Sequence, residues 1–487
     1  MNELLLIVYT FFLVILLVYS FESLHLAITF KNKFKFKTDE PDDHELKSFP
    51  KVTIQLPVFN EKYVVQRLID SVVQIDYPKE KLQIQVIDDS TDETLAISRE
   101  LVKKYHAAGF AIELIHRSDR SGYKAGALKK ALETATGEFI AIFDADFIPD
   151  QNFLKKTLIY FEDSQLGMVQ SRWRYVNENY SKITRIQALA LDGHFVVEQA
   201  ARNAAGYFIN FNGTAGVWRK STILDAGNWQ ADTLTEDLDL SFRAQLKGWK
   251  FKYLVHFTTN SELPAEINGF KSQQYRWTKG AIETAKKLLP AIWKSGLSLR
   301  IKLQSTFHLT GNFVYPSIII LALLNMPLIY IKSHYIEYDL YFLFLSVFVL
   351  SMAGPFVLYF YSQKMMYSNW QDRLLLFPFF MSGSMGLAVN NSKAVLEALF
   401  GIRTAFKRTP KYAIEKESDN WLQKAYREDL NLIVIAELFM LLYSFITLMM
   451  TVVYLEIAAI PFHFMFFGGF LMISYLSLSH YYKFRTS

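Results

Sequence analysis

The chain has 487 residues, 51% of them hydrophobic and 20% charged, and its formal net charge is only +5. The lack of cysteine excludes disulfides, thiolate metal sites and a cysteine nucleophile. The large apolar content excludes bulk disorder, and the small net charge argues against a nucleic-acid partner. Both ends are apolar, whereas residues 38–300 have an ordinary composition. We therefore predict a soluble-type domain at 38–300 between membrane segments at 1–37 and 301–487.

An uncharged run of 18 residues, 4–21, has about the length needed to cross a bilayer core. Four lysines follow it, at positions 31, 33, 35 and 37. A cleaved signal peptide would carry its charge before the run and a small-residue cleavage site after it, so we disfavour that alternative. By the positive-inside rule the lysine-rich flank is cytoplasmic, and the N-terminus is predicted to face outward.

Five further uncharged stretches follow, at 303–331, 340–363, 374–392, 438–455 and 457–482. Basic residues cluster at 364 and 373, at 403–411, and at 483 and 485, and the same rule places all three clusters in the cytoplasm. Both flanks of 374–392 then lie on one side, so segment 374–399 is predicted to be interfacial or re-entrant. This gives five crossing segments, and six crossings with one exception to the rule is the alternative.

In the middle of the chain, short strand-like segments alternate with helix-like ones. The strands are predicted at 52–56, 82–87, 111–115 and 139–143, and the helices at 61–73, 92–104 and 125–135. This alternation predicts βαβ units and a mostly parallel sheet, which binds ligands at the carboxyl ends of its strands. The residues that fall at those ends are Asn60, Asp88, Asp89, Asp144 and Asp146.

Asp144 and Asp146 stand two residues apart, directly after a predicted strand. Two such carboxylates can hold Mg²⁺ or Mn²⁺, which in turn bridges to a substrate diphosphate. The alternative is a solvated turn. A second acidic strand end at Asp88 and Asp89 favours the cation, because converging carboxylates repel one another without one.

Glu236 and Asp237 open an amphipathic stretch at 238–246. Acids at a helix start are favoured by the helix dipole, so both could be structural. Asp237 could equally be a general base that takes the proton from an acceptor hydroxyl. The pattern alone leaves both interpretations open.

Gln273, Arg276 and Trp277 precede the second membrane block. The Trp can stack on a sugar ring and the Arg can hold a diphosphate with two hydrogen bonds. A membrane-interface aromatic beside a snorkelling Arg is the alternative. Lys124 lies at the start of a predicted helix, where a phosphate can bind.

Together these motifs resemble the D, DxD, D, QxxRW signature of processive family 2 glycosyltransferases, the cellulose synthase superfamily. The matching stretches are Asp88-Asp89, Asp144-x-Asp146, Thr235-Glu236-Asp237 and Gln273-x-x-Arg276-Trp277. Further stretches, such as residues 55–61 and 211–216, are similar to the cellulose synthase-like A and C enzymes, which make mannan, glucomannan and glucan backbones. The resemblance covers about residues 50–290 closely and the membrane part in outline.

The resemblance implies a GT-A type, Rossmann-like α/β catalytic domain in the cytoplasm, inserted between transmembrane helices. The expected reaction is inverting transfer of a hexose from GDP-mannose or UDP-glucose to a growing β-linked, chiefly β-1,4, polysaccharide, with coupled export. The family's roles carry over to the matching positions, and donor binding is implied for Asn60, Glu61, Asp88, Asp89, Lys124 and Asp144. Metal binding is implied for Asp144 and Asp146, and catalysis for Asp237 with Glu236. The acceptor and diphosphate site is implied to consist of Gln273, Arg276, Trp277, Phe211, Asn212, Gly213 and Thr214.

Residues 406–411 resemble the F-x-V-T-x-K gating loop of cellulose synthases, inside a predicted cytoplasmic loop at 400–429. Phe406, Thr409 and Lys411 match the pattern, while Arg408 stands where the family has Val. A basic loop beside the membrane is the alternative.

The implied partners are a nucleotide sugar, a polysaccharide acceptor and the lipid bilayer of a bacterial inner membrane or a Golgi-type membrane, with accessory export proteins by analogy. Transfer of one sugar to a lipid, such as a polyprenyl phosphate or ceramide, is the first alternative. A transporter with a regulatory domain is the second, and the lack of obvious inverted repeats argues against it.

Overall fold

The computed structural model describes residues 1–34, 46–424, 426 and 431–486. Lys35 and Lys37 of the predicted basic flank lie outside these residues, as do 425 and 427–429 of the predicted loop at 400–429. Side chains from 484 onward, including that of the predicted cytoplasmic Arg485, are also outside.

Seven strands form one sheet in the described part of the chain. They are β1 (Val52–Val58), β2 (Leu82–Asp88), β3 (Ala111–His116), β4 (Phe139–Ile142), β5 (Leu166–Tyr175), β6 (Gly216–Arg219) and β7 (Lys250–Ser261). Their order across the sheet is β3-β2-β1-β4-β6-β5-β7. Strands β1 to β4 pair in parallel, as do β5 and β7, and only β6 runs antiparallel to its neighbours. The predicted mostly parallel α/β sheet and its first four strands are confirmed.

Nine helices belong to the α/β domain within the described residues. They are α2 (Val65–Val72), α3 (Thr94–Ala107), α4 (Tyr123–Leu132), α5 (Phe153–Leu158), α6 (Lys182–Asp192), α7 (Gln199–Ala205), α8 (Lys220–Asp225), α9 (Glu236–Leu246) and α10 (Ile267–Lys294). The predicted helices correspond to α2, α3, α4 and α9. Helix α2 begins four residues after the predicted start, because Asn60 has a left-handed backbone (φ 54°) that starts a loop instead.

The alternation of side chains along the strands explains the two core layers of the sheet. Ile140 and Ile142 of β4 pack in one layer with Leu128 of α4, whereas Phe139 and Ala141 pack in the other. Because helices cover both faces, strands β1, β2 and β4 are buried at nearly every position. Because β1, β2 and β4 are parallel, the loops that follow them lie at the same edge of the domain.

The remaining helices, within the described residues, form the membrane part. They are α1 (Asn2–Lys33), α11 (Leu299–Thr310), α12 (Val314–His334), α13 (Asp339–Leu345), α14 (Ala353–Met366), α15 (Trp370–Leu374), α16 (Phe377–Leu399), α17 (Ile433–Val453) and α18 (Ile460–Thr486). By length and composition, six segments of the described chain are suited to cross a membrane, and Trp370–Leu399 is one of them. The number that do cross stays a prediction. Helix α1 packs against α12 and α14, so both ends of the chain share one bundle.

Helix α10 joins the α/β domain to this bundle. It packs against α16, and Lys286 Nζ donates hydrogen bonds to the carbonyl oxygens of Ala398 and Leu399, at 2.8 Å each. Near its other end, Lys271 forms a buried ion pair with Glu437 of α17, with Nζ 2.5 Å from Oε1. These contacts join the helix that carries Gln273, Arg276 and Trp277 directly to the membrane helices α16 and α17.

Candidate active site

A cleft with a cavity volume of about 200 Å³ lies at the carboxyl ends of β1, β2 and β4. Fifteen predicted site residues line it: Glu61, Asp89, Lys124, Asp144, Asp146, Asn212, Gly213, Glu236, Asp237, Gln273, Arg276, Trp277, Phe406, Thr409 and Lys411. They come from eight separate stretches of sequence. The fold therefore brings together the residues that were grouped from motifs alone.

Four predicted residues lie behind the cleft wall and do not line it. The Asn60 backbone N–H donates to Ser90 Oγ at 2.8 Å, so Asn60 ties the loop after β1 to the loop after β2. Asp88 is fully buried and accepts a hydrogen bond from the N–H of Ser90. Thr214 Oγ accepts the backbone N–H of Asp144 at 2.8 Å, and Phe211 packs edge-on against Trp218. These side chains support the cleft rather than form its surface.

Lys124 lies between the carboxylate of Asp144 and the loop at Gly213. Its Nζ is 2.5 Å from Asp144 Oδ1 and donates to the carbonyl oxygen of Gly213 at 2.8 Å. Burial raises the pKa of Asp144 even though the ammonium group acts to lower it. An anionic phosphate placed here would meet a cation already fixed in position.

Asp146 is bound by the loop at 406–411. Lys411 Nζ lies 2.7 Å from Asp146 Oδ2 and donates to the carbonyl oxygen of Glu262 at 2.9 Å. The Glu262 carboxylate in turn accepts the backbone N–H of Tyr412 at 2.9 Å. Glu262 lines the cleft, and it was not among the predicted site residues.

The donor set at Asp144 and Asp146 suits a hard divalent cation. The described residues contain no group of three or more His, Cys, Asp or Glu placed to hold a metal ion. A cation held by two carboxylates takes its remaining oxygen ligands from a diphosphate and water, which is the usual arrangement for Mg²⁺. The residues present therefore fit a metal that arrives together with its substrate.

The surroundings of Asp237 suit both roles that the sequence left open, and its role as a general base stays a prediction. Asp237 lies in the first turn of α9, and its Oδ1 accepts the N–H of Leu238 at 2.9 Å. No described residue donates a hydrogen bond to Oδ2, and a Cβ atom at Gly213 would lie 3.0 Å from it. Burial, followed by the charge of Glu236, raises the pKa of Asp237 to about 7. A carboxylate with such a pKa is suited to take a proton near neutral pH.

The loop at 406–411 closes one side of the cleft. Arg276 donates to Thr409 Oγ at 2.8 Å and lies over the ring of Phe406, which stacks on Tyr123. Arg408 forms an ion pair with Glu61, with Nη1 3.1 Å from Oε2. Burial raises the pKa of Glu61 to about 8, although Arg408 acts to lower it. The departure from the family pattern at 408 thus supplies a cation for a buried acid.

Two arginines after β3 also shape the cleft, and sequence reasoning missed them. Arg117 binds Asp89 with two hydrogen bonds, of 2.9 Å and 2.5 Å, and fixes its carboxylate. Arg120 lines the cleft and lies over the ring of Phe59. Both follow a parallel strand end, so the rule that found the aspartates indicates them as well.

A second, larger cavity of about 880 Å³ extends from the cleft between the membrane helices. Its walls come from α1, α6, α7, α9, α10, α11, α12, α13, α14, α16 and α18. Six residues line both cavities: Trp173, Leu191, Asn212, Thr235, Asp237 and Trp277. The candidate base and the candidate sugar platform therefore lie where the two spaces meet.

Residues 220–487, more than half of the chain, match the family model described as cellulose synthase. Residues 50–280 match the model described as glycosyltransferase like family 2. The chain is 41% identical over 282 residues to glucomannan 4-beta-mannosyltransferase 1 of Oryza sativa subsp. japonica, covering 56% of this chain and 53% of that protein. It is 41% identical over 277 residues to glucomannan 4-beta-mannosyltransferase 1 of Cyamopsis tetragonoloba, covering 55% and 52%. The chain spans about half the length of the curated relatives it matches.

Among solved structures, the fold is similar to that of the mannosyltransferase PcManGT from Pyrobaculum calidifontis, determined in complex with GDP-Man and Mn²⁺. The TM-score is 0.56 at 17% identity, and the match covers 82% of this chain and 100% of that one. At this identity the similarity concerns the fold, and the GT-A type domain predicted from the motifs is confirmed. The sheet, the gathered motifs and the match over more than half of its length together show that the chain belongs to the cellulose synthase family.

Proposed function

We propose that this protein is a membrane-embedded inverting hexosyltransferase that lengthens a β-linked polysaccharide. The donor is a nucleotide diphosphate sugar bound in the cleft, and the acceptor chain lies in the cavity between the membrane helices. The observation that carries the proposal is the position of Asp237 and Trp277, which line both spaces. A base at this junction faces the donor and the acceptor at once.

In the proposed mechanism Asp237 takes the proton from the acceptor hydroxyl through Oδ2. The hydroxyl oxygen attacks the anomeric carbon of the donor, and the bond to the diphosphate breaks on the opposite face, so an α-linked donor gives a β-linkage. Lys124 and Arg276 hold the leaving diphosphate, because both cations line the cleft close to Asp144 and Glu236. Trp277 positions the acceptor sugar beside the base.

Asp144 and Asp146 would hold the divalent cation, Mg²⁺ or Mn²⁺, which neutralises the diphosphate charge when bound. In the structure Lys411 lies against Asp146, so the loop at 406–411 supplies positive charge at the same place. We infer that this loop moves aside as donor and metal enter and then closes over them. Arg408, paired with Glu61, returns with it.

The relatives are named glucomannan 4-beta-mannosyltransferases, which supports a mannosyl donor and a β-1,4-linked mannan or glucomannan product. The donors to test are GDP-mannose and UDP-glucose. We place the catalytic domain on the cytoplasmic side with the N-terminus outside. Helix α16 packs on α10, and we propose that it lies at the membrane interface. Five segments then cross the membrane, and the C-terminus is cytoplasmic. The product leaves through the membrane cavity.

A donor screen in membranes tests the proposal. Radiolabelled GDP-mannose and UDP-glucose are supplied with Mn²⁺ or Mg²⁺, and the product is sized on a gel. We expect a polymer of many sugars, which is lost on chelation of the metal and restored when the metal is added back. A product of one sugar, extractable with organic solvent, would instead identify a lipid acceptor. Failure to incorporate sugar from either donor would contradict the proposal.

A further inference from the structure

A buried lysine on α10 lies behind the loop at 406–411, outside the lining of the cleft. The side chain of Lys279 is only 1% exposed. Its Nζ donates hydrogen bonds to the carbonyl oxygen of Ile402 at 2.7 Å and to Thr404 Oγ at 2.8 Å. Both partners belong to residues 402–405, here called the arm, which leads from the end of α16 into the loop. Lys279 therefore ties the arm to α10.

An acid and a phenol keep the ammonium group of Lys279 paired. Glu397, in the last turn of α16, has its Oε2 3.3 Å from Nζ, and the hydroxyl of Tyr275 lies 3.4 Å from Nζ. Tyr275 itself donates a hydrogen bond to the same carboxylate. A buried cation has a large desolvation cost, and a well-packed apolar side chain in its place is often as stable. The charge at 279 therefore points to a role beyond packing.

The arm has few apolar contacts of its own to hold it. It begins after Gly401, whose left-handed backbone (φ 70°) ends α16, and it continues as irregular backbone. Ile402 and Ala405 are exposed, and Thr404 is half-buried. A segment with little buried surface opens easily unless hydrogen bonds fix it. The two hydrogen bonds from Lys279 thus determine where the fixed part of the chain ends.

The far end of the loop is fixed as well, and α10 also contacts its middle. Tyr412 is only 1% exposed, and its backbone N–H donates to the Glu262 carboxylate at 2.9 Å. Between the two fixed ends, Arg276 donates to Thr409 Oγ at 2.8 Å. Arg276 and Lys279 are three residues apart, so they lie on the same face of α10. One helix face therefore holds both the closed part of the loop and its fixed arm.

We propose that Lys279 is a positioning residue that fixes the hinge of the loop at 406–411, with Thr404 as its partner on the arm. This inference rests on the proposed function, in which the loop moves aside for donor and metal and then closes over them. With the arm and Tyr412 held, only the short segment 405–411 moves. A short tethered segment finds its closed position readily, because the entropy cost of loop closure grows with loop length.

The hinge matters because a closed loop keeps water away from the bound donor. Water in the place of the acceptor hydroxyl would attack the anomeric carbon, pass its proton to Asp237 and break the bond to the diphosphate. The products would be free hexose and nucleoside diphosphate, and the polymer would not grow. Lys279 therefore couples the use of donor to the lengthening of the chain.

The test measures two rates with the full-length protein in lipid nanodiscs and whichever donor supports turnover: release of nucleoside diphosphate and incorporation of sugar into polymer. In the wild type we expect equal rates. In Lys279→Met, which removes the charge, the donor KM should rise by about 10- to 100-fold and release should exceed incorporation several-fold. Thr404→Val, which removes only the hydroxyl that accepts, should change both quantities in the same direction by about 3- to 10-fold. The double variant should be no worse than Lys279→Met alone, because both changes remove the same hydrogen bond.

Lys393→Met is a matched control and should behave like the wild type, because Lys393 is half-exposed and lies 3.8 Å from the other oxygen of Glu397. Trypsin cleavage after the exposed Arg403 and Lys407 reports the hinge without turnover, and it should be several-fold faster in Lys279→Met and Thr404→Val. Unchanged cleavage in both variants would overturn the inference, and so would faster cleavage with equal rates of release and incorporation. Absence of hexose transfer by the wild type would instead contradict the proposed function, and the cleavage rates would still test the hinge.

Discussion

The cleft and the membrane cavity meet at Asp237, yet different kinds of residues and structural elements line them. The cleft is walled by ion pairs such as Lys124–Asp144 and Lys411–Asp146, whose aspartates lie in the loop after β4. The cavity is walled mainly by helices that also form the membrane bundle, and its charged lining residues are Glu22, Glu198, Arg202, Asp237 and Lys332. The proposed function needs this difference, because it places a charged donor in the cleft and a neutral chain in the cavity.

The largest expected effect comes from removing the group that both spaces share. Asp237→Asn keeps the hydrogen bond from Leu238 but lacks a base, so kcat should fall by about 10²- to 10⁴-fold while the donor Kd stays constant. A steady-state turnover assay measures kcat, and isothermal titration calorimetry with the donor measures the Kd. Asp232→Asn, an exposed position five residues earlier, should behave like the wild type. Turnover retained in Asp237→Asn would assign the base to another residue.

A second prediction concerns the helix that links the two spaces. Glu437→Gln leaves Lys271 as an unpaired buried cation between α10 and α17, which should reduce stability by roughly 3–5 kcal/mol. Thermal unfolding in detergent measures the loss. Glu456→Gln breaks a partly exposed pair with Lys332 at the other side of the bundle and should cost about 1 kcal/mol or less. Equal losses in the two variants would contradict a special role for the α10 contact.

The close approach of Gly213 to the base gives a third prediction. An alanine here has its Cβ 3.0 Å from Asp237 Oδ2 and 3.3 Å from Lys124 Nζ, at a φ of +80°. Displacing the carboxylate should lower kcat by about 10- to 100-fold. Gly109→Ala is a matched control, because it has a similar φ of +84° and no atom within 4 Å of the added Cβ. If both variants lose the same activity, backbone strain rather than the contact is responsible.

The pH dependence of kcat/KM tests the role of Asp237 without any substitution. Burial and Glu236 raise the pKa of Asp237 to about 7, so the base is protonated below that pH. The kcat/KM of the free enzyme should therefore fall about tenfold per pH unit below 7 and level off above it. A flat profile between pH 5 and 7 would contradict a base with this environment.

The residues of the cleft were easier to predict from the sequence than those of the cavity, because many of them follow parallel strands. Asp89, Asp144 and Asp146 follow buried parallel strands, and the geometry of such sheets places strand ends together. Asp237, Gln273 and Trp277 were found through motifs, because nothing local brings α9 and α10 to that edge. The ion pair of Arg408 with Glu61 depends on a contact between residues more than 300 positions apart, which no local pattern encodes.

The cavity was the harder part to anticipate. The 41 Phe and 27 Tyr of the chain suit lipid contact as well as an aromatic-lined cavity, because a helix shows the same apolar pattern toward either. His194, Glu198 and Arg202 line the cavity and are four residues apart, a helical spacing that is visible in the sequence. Its meaning depends on α1, α12 and α14 enclosing the space in front of it.

The most direct test of the account follows the product through the cavity. The chain has no natural cysteine, so Ser384→Cys places a single thiol on the cavity wall, and Ser164→Cys places one on the exposed surface of the α/β domain. With donor present and elongation under way, maleimide labelling at 384 should slow several-fold and labelling at 164 should not change. Labelling at 384 that is unaffected by elongation would show that the growing chain takes another route.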